Sequence, residues 1–347
     1  MIFSRGGTRI MKEAMFYDFG KRNEVICQLC NHHCHIKEGK RGLCGVRENR
    51  DGKLYSLVYG RLIAEHIDPI EKKPLFNFLP ASTAYSIATV GCNFRCLHCQ
   101  NYDISQYPHA HSGEIAGRER TAAAVVEDAA RTGCASVCYT YVEPTIFYEF
   151  AYDCSVMAHE RGLKNVFVSN GYMTPEVTHH LAPVLDGINI DIKAFTDDFY
   201  KKVCKARLQP VLDNVRLMHE LGVWVEVTTL IIPGLNDSPE ELRQIAQFVK
   251  SVSADIPWHV TAFYPTYKMM DRRRTPVETL REARKIGLDE GLNYVYEGNV
   301  PGEGGENTYC PGCEEELISR HGFSIRKNTL SNGRCPKCGQ RAAGVWS

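Results

Sequence analysis

The sequence predicts an α/β fold, a partial (β/α)6 TIM-like barrel with cysteine-rich metal-binding extensions at both ends. Three observations carry this. Between about residues 85 and 300, six short apolar runs alternate with helical stretches, which implies a parallel sheet with right-handed crossovers. The roughly 215 residues of that stretch fall short of the roughly 250 of a closed eight-unit barrel, so an open six-unit barrel fits better. No Gly-x-Gly-x-x-Gly follows any of the runs, which weighs against the structural alternative, a flat doubly wound dinucleotide-binding sheet.

In chain order, the strands are read at Tyr85–Val90, Ala135–Thr140, Asn165–Ser169, Gly187–Ile192, Val223–Ile231 and Trp258–Phe263, each rich in β-branched residues. Asn293–Tyr296 is a further short strand. Helical spacing appears over Arg120–Thr132, Pro144–Arg161 opens with proline at a first-turn position, and Asp197–Leu221 begins with acidic residues. Ser238 followed by Glu241 is a capping-box pattern ahead of LRQIAQFVK, and Thr275–Leu288 completes the helical segments. The domain boundaries expected are 1–80 for an N-terminal Cys-rich extension, 81–300 for the barrel and 301–347 for a C-terminal ribbon.

The 347 residues carry 41 Lys+Arg against 41 Asp+Glu, which removes any global electrostatic argument for nucleic acid. The basic stretches Lys37–Arg41 and Arg272–Arg274 are too short to restore one and read as solvated loops. No run approaches the roughly 18 apolar residues of a membrane span, and the N-terminal MIFSRGGTRIMKEAMF lacks a leader's apolar core, so a cytoplasmic protein is expected. In that setting fifteen cysteines read as metal ligands or redox groups rather than disulfides. Eleven fall into three clusters; Cys134, Cys138, Cys154 and Cys204 are scattered and read as small buried hydrophobes.

The first strand runs into Gly91-Cys92-Asn93-Phe94-Arg95-Cys96-Leu97-His98-Cys99. Three thiolates in one short loop need a metal to neutralise them. A cubane [4Fe-4S] cluster normally takes four Cys ligands, so three leave one iron open; zinc with His98 as fourth ligand is the simpler alternative. The other strands also end in polar residues: Glu143-Pro144-Thr145 after the second, Ser169-Asn170-Gly171 after the third and Asp191-Ile192-Lys193 after the fourth. Ile232-Pro233-Gly234-Leu235-Asn236-Asp237 follows the fifth, and His259 lies on the sixth. Each alone has an ordinary structural reading, but together they mark the end of a parallel barrel where sites are built.

With this C-x3-C-x2-C loop, the chain resembles the radical S-adenosylmethionine (SAM) superfamily over most of residues 80–300. The resemblance implies that Cys92, Cys96 and Cys99 hold a [4Fe-4S] cluster whose open iron binds SAM, and that reduction yields a 5′-deoxyadenosyl radical for hydrogen abstraction. It also implies SAM contacts from Glu143, Asn170, Asp191, Lys193 and His259, with the backbone around His98 near the adenine. Glu143-Pro144 stands where the family carries Gly-Gly-Glu; the carboxylate that an ammonium requires is kept and the glycines are not. A low-potential electron donor of flavodoxin or ferredoxin type is implied as well.

Cys27, Cys30, Cys34 and Cys44 have metal-ligand spacing, with His32, His33 and His35 as competing ligands. Zinc and an auxiliary [4Fe-4S] cluster both fit, with zinc preferred. Cys310-Pro-Gly-Cys313 and Cys335-Pro-Lys-Cys338 are two knuckles 21 residues apart, a zinc-ribbon or rubredoxin-like pattern for which zinc is the simpler metal. The segment Asp68-Pro69-Ile70-Glu71-Lys72-Lys73-Pro74-Leu75-Phe76, by periodicity a Pro-bounded connector, strengthens a resemblance to the radical SAM component of the AmmeMemoRadiSam system. That group is close to the pyruvate formate-lyase activating enzymes, and the resemblance implies Memo and AMMECR-type partner proteins. Two other functions compete with an AmmeMemoRadiSam enzyme acting on an unidentified substrate: a glycyl-radical enzyme activating protein, and a non-catalytic zinc scaffold.

Overall fold

The computed structural model describes residues 11–347; the first ten, part of the stretch read above for a leader, lie outside the described residues. Eight strands form one sheet: β1 (Ala64–Pro69), β2 (Thr83–Ala88), β3 (Ser136–Tyr139), β4 (Lys164–Ser169), β5 (Gly187–Asp191), β6 (Trp224–Ile231), β7 (Trp258–Ala262) and β8 (Val295–Gly298). Their spatial order is their chain order, β2 to β8 are parallel, and β1 runs antiparallel along β2. The sheet is open, with β1 and β8 as its edges. Helices α1 (Ala122–Arg131), α2 (Tyr148–Glu160), α3 (Pro175–Leu181), α4 (Gln209–Glu220), α5 (Pro239–Val252) and α6 (Val277–Asp289) follow β2 to β7 in turn. Covered on both faces, β3 and β7 are buried along their whole length, as parallel strands are.

Three helical expectations change. The helix expected over Asp197–Leu221 is broken: Asp197–Phe199 passes into a π turn at Tyr200–Cys204, Lys205 adopts φ +62°, and α4 starts afresh at Gln209. A left-handed lysine ends a helix that composition alone would continue. Pro144–Phe147 is a 3-10 turn ahead of α2 rather than its first turn. The Ser238 hydroxyl accepts from the Glu241 N–H at 3.2 Å, but the Glu241 carboxylate accepts from Phe195 N–H at 2.7 Å instead of closing the box. The short helix α3 had no counterpart in the sequence reading.

The Asp68–Phe76 segment and the residues after it form the barrel's floor. Ile70, Leu75 and Phe78 pack with Ala84, Cys138 and Val166 from the strands. The fully buried Glu226 carboxylate accepts from Phe76 N–H (3.0 Å), Asn77 N–H (2.8 Å) and Trp224 Nε1 (3.0 Å). An anion there is tolerable because every approach to it is a donor. From outside, Arg320 Nη2 donates to the Phe76 carbonyl at 2.8 Å and Asn77 Nδ2 to that of Ala343 at 2.9 Å, stitching the C-terminal ribbon to the floor.

At the other end, the short strands Tyr17–Phe19, Val25–Cys27 and His35–Ile36 pair antiparallel. Val25, Leu29, Ile36 and Val46 belong to the same continuous core as Ile146 and Phe150 of the barrel. A buried Arg47–Glu149 pair, at 2.8 and 3.1 Å, joins this lobe to α2. No helix among the described residues is long and apolar enough to cross a membrane.

Candidate active site

β2 ends at Ala88, and the chain turns through Gly91 at φ +99° into the cysteine loop. A Cβ at 91 would lie 2.6 Å from Val46 Cγ1 and 2.9 Å from the Cys44 carbonyl oxygen, so only glycine allows this approach. The loop is clamped by Arg95 N–H to the Cys204 carbonyl (3.0 Å) and Leu97 N–H to that of Val203 (3.1 Å). Asn101 Nδ2 donates to the Tyr141 carbonyl at 2.8 Å. The π turn and β3 exit thus act as the loop's frame.

Cys92, Cys96 and Cys99 border a cavity of about 520 Å³ at the C-terminal ends of the strands, and His98, Glu143, Asn170, Asp191, Lys193 and His259 border it too. Among the described residues, no three of these thiol, imidazole and carboxylate groups bring ligand atoms within 4.8 Å of one another. A tetrahedral zinc, with Zn–S near 2.3 Å, would hold its sulfurs about 3.8 Å apart. The triplet is therefore too wide for the zinc shell with His98, and its spread suits a multi-iron cluster in which each thiolate binds a different iron.

The polar groups around the thiols divide into wall and floor. Glu143 accepts from Thr145 N–H (3.1 Å), the Thr145 hydroxyl (2.5 Å), the Ser169 hydroxyl (2.8 Å) and Asn170 N–H (2.7 Å). Three of these reach Oε1; Oε2 takes only the last and keeps a lone pair for another donor. Burial raises its pKa, and the four donors oppose that rise. Asn170 Nδ2 donates to Asn93 Oδ1 at 2.7 Å, tying the β4 exit to the cysteine loop. Lys193 Nζ pairs with Asp191 at 2.8 Å. Burial alone would lower the Lys193 pKa, but Asp191 and the thiols of Cys96 and Cys204 hold it well above the usual value. Burial and then the Lys193 charge push His98 down to about 3, so its ring is neutral, and its buried Nδ1 has no partner among the described residues.

His259 lies low in the cavity, at the second position of β7. Its Nε2 meets Glu226 at 2.6 Å and its ring packs on Phe76 and Tyr296. Two features in or beside the cavity went unread in the sequence. Asp68 joins Lys72 (2.8 Å), Lys73 (2.6 Å) and the Tyr141 hydroxyl; burial raises its pKa, but these donors prevail and hold it well below the carboxylate range. The Asp-Lys spacing of four was the available signal. Phe323, at the tip of the ribbon's Glu316–His321/Ser324–Asn328 hairpin, reaches the cavity from the C-terminal end. The four scattered cysteines, Cys134, Cys138, Cys154 and Cys204, are buried as expected.

The two outer quartets differ. Cys310, Cys313, Cys335 and Cys338 bring their sulfurs within 4.8 Å of one another, with Cys310–Cys338 at 3.6 Å and Cys313–Cys335 at 3.7 Å, the edge lengths of one tetrahedral ion. Cys27, Cys30, Cys34 and Cys44 line a closed pocket together with Arg47 and Asn93, but no three of their sulfurs come that close. Of the competing histidines, His32 Nε2 is held at the Asn93 carbonyl (2.8 Å), His33 at Gln28 (2.6 Å), and His35 faces Glu24 (3.6 Å).

Comparison with known proteins agrees with this geometry. Residues 86–249 match the model of the radical SAM superfamily. An uncharacterised protein of Methanocaldococcus jannaschii is 51% identical over 95% of this chain and 98% of its own. The pyruvate formate-lyase-activating enzyme of Clostridium pasteurianum is 24% identical over 60% of this chain and 89% of its own. SuiB of Streptococcus suis, solved with precursor peptide SuiA, shares the fold with a TM-score of 0.51 at 14% identity, over 66% of this chain and 51% of that one. With the cysteine loop at the mouth of an open parallel barrel and a matching family model over residues 86–249, from β2 into α5, the chain belongs to the radical SAM superfamily.

Proposed function

We propose that the protein is a cytoplasmic radical SAM enzyme of the AmmeMemoRadiSam group, working on an unidentified substrate with a flavodoxin- or ferredoxin-type donor and with Memo and AMMECR-type partners. The observation that carries the radical SAM chemistry is the wide thiol triplet sharing one cavity with Glu143, Asp191 and Lys193. When bound, a [4Fe-4S] cluster with SAM supplies one-electron cleavage of the sulfonium to methionine and a hydrogen-abstracting 5′-deoxyadenosyl radical. The chain's own part is to hold and orient. Cys92, Cys96 and Cys99 supply the thiolates, the free lone pair of Glu143 Oε2 receives an ammonium, and Asp191 and Lys193 offer one charge of each sign to the rest of SAM. In the same reading the C-terminal quartet holds a structural zinc.

Anaerobic incubation with SAM and dithionite tests this. The wild type forms 5′-deoxyadenosine and Cys96→Ala does not; product formation by the variant removes the cluster assignment, and a colourless wild type that leaves SAM intact returns the zinc scaffold. A second reading, a glycyl-radical enzyme activating protein, is favoured by the likeness to the pyruvate formate-lyase-activating enzyme. A glycyl-radical electron paramagnetic resonance signal on a co-incubated partner protein would select it.

A further inference from the structure

We infer that Cys27, Cys30, Cys34 and Cys44 hold a second [4Fe-4S] cluster, ligated wholly by protein, rather than zinc, with Arg47 and Asn93 donating hydrogen bonds to its sulfides. The inference is independent of the SAM reading and replaces the preference for zinc drawn from spacing alone.

The molecule contains its own ruler. The C-terminal quartet shows how this chain arranges four thiols for one ion, with edges of 3.6 and 3.7 Å. The N-terminal quartet has the same ligands in number, around one pocket, yet no three of its sulfurs fall within 4.8 Å. Four thiols around one pocket that do not stand at the edge lengths of a single ion suit a cubane, which puts a separate iron under each thiolate.

The wall supplies the second observation. Arg47 and Asn93 are 1% and 4% exposed, both line this pocket, and Arg47 Nε and Asn93 Nδ2 have no acceptor among the described residues. The rest of both side chains is engaged: the Arg47 terminal nitrogens by Glu149 and the Met15 carbonyl, Asn93 Oδ1 by Asn170. Two buried donors left open beside four thiols are costly unless something in the pocket accepts them. The inorganic sulfides of a cubane are such acceptors, and hydrogen bonds to cluster sulfur tune its potential. A zinc tetrathiolate offers such donors only its four thiolate sulfurs, whereas a cubane adds four inorganic sulfides set between them.

The placement adds a reason for such a site. His32 Nε2 meets the carbonyl of Asn93, the residue after Cys92, at 2.8 Å, and the Cys44 carbonyl packs on Gly91. The second cluster lies directly behind the first one's loop. A fully ligated cluster there has no open iron, so SAM binds only at the Cys92 loop.

Metal and acid-labile sulfide counts on wild-type protein purified anaerobically decide the matter. The expected result is about eight irons, eight sulfides and one zinc per chain. About four irons, four sulfides and two zincs overturns the inference while leaving SAM cleavage intact. In the triple variant Cys92→Ala/Cys96→Ala/Cys99→Ala, about four irons remain and the dithionite-reduced sample gives a paramagnetic signal that SAM does not alter. Loss of all iron from a variant that keeps its ribbon zinc and its circular dichroism also overturns it. In that background Asn93→Ala lowers the midpoint potential of the remaining cluster; an unmoved potential removes Asn93 from its donor role.

Discussion

The two outer quartets pair the same residue type with opposite supports. The C-terminal one has a core of its own, Cys310, Leu317, Ile318, Cys335 and Ala342, in which two of the five members are cysteines of the quartet, and its Cys338 is exposed. The N-terminal one is set in the main core, among Val25, Leu29, Ile36 and Val46, and is bolted to α2 by Arg47–Glu149. Equal cysteine counts therefore sit on different supports: a ribbon core this small calls for a bound metal to be stable, whereas the N-terminal lobe can draw on the barrel's core.

The largest expected effect tests that contrast directly. A structural zinc contributes roughly 10–16 kcal/mol in small domains, far more than the ribbon's few apolar residues can replace. Cys335→Ser should therefore open residues 301–347 to protease while the barrel stays resistant, and Cys34→Ser should leave the N-terminal lobe uncut. Equal cleavage of both ends would break the comparison. Next in size is Glu149→Ala, which leaves Arg47 buried and unpaired and should cost about 3–5 kcal/mol, read from urea unfolding followed by circular dichroism. Its transition should remain single, because lobe and barrel share one core; a separate early transition would show that they do not. The smallest effect should come from Asn31→Ala. Its Nδ2 donates to the Tyr172 and Met173 carbonyls at 3.2 and 2.7 Å, and its loss should cost about 1–2 kcal/mol with metal content unchanged.

How much of this was legible follows the same division. The seven parallel strands were placed to within about two residues, because β-branched runs bounded by polar strand ends are a local signal, whereas the antiparallel edge strand β1 was missed and its end read as connector. The grouping of the C-terminal quartet was legible from spacing, and the strand-end residues that share the cavity from their common position after each run. What was hidden is what depends on distant chain. Glu226, Glu149 and Arg47 look like ordinary surface charges until the fold surrounds them with partners. The break at Lys205 was unreadable because a left-handed lysine is imposed by tertiary contacts rather than by composition. The Asp68–Phe76 connector carries no periodicity because it is the barrel's floor, shaped by the strands around it.

That floor has a consequence in time. Asn77 is fixed by Ala343, 266 residues further along, and the Phe76 carbonyl is met by Arg320, 244 residues on. Such pairings are made last, after the long intervening chain has been ordered. On the ribosome the barrel's strands emerge well before the residues that seal its base. A nascent chain stalled short of residue 343 would carry a nearly finished barrel whose base is still unlatched, and ribbon maturation would then set when the enzyme is complete.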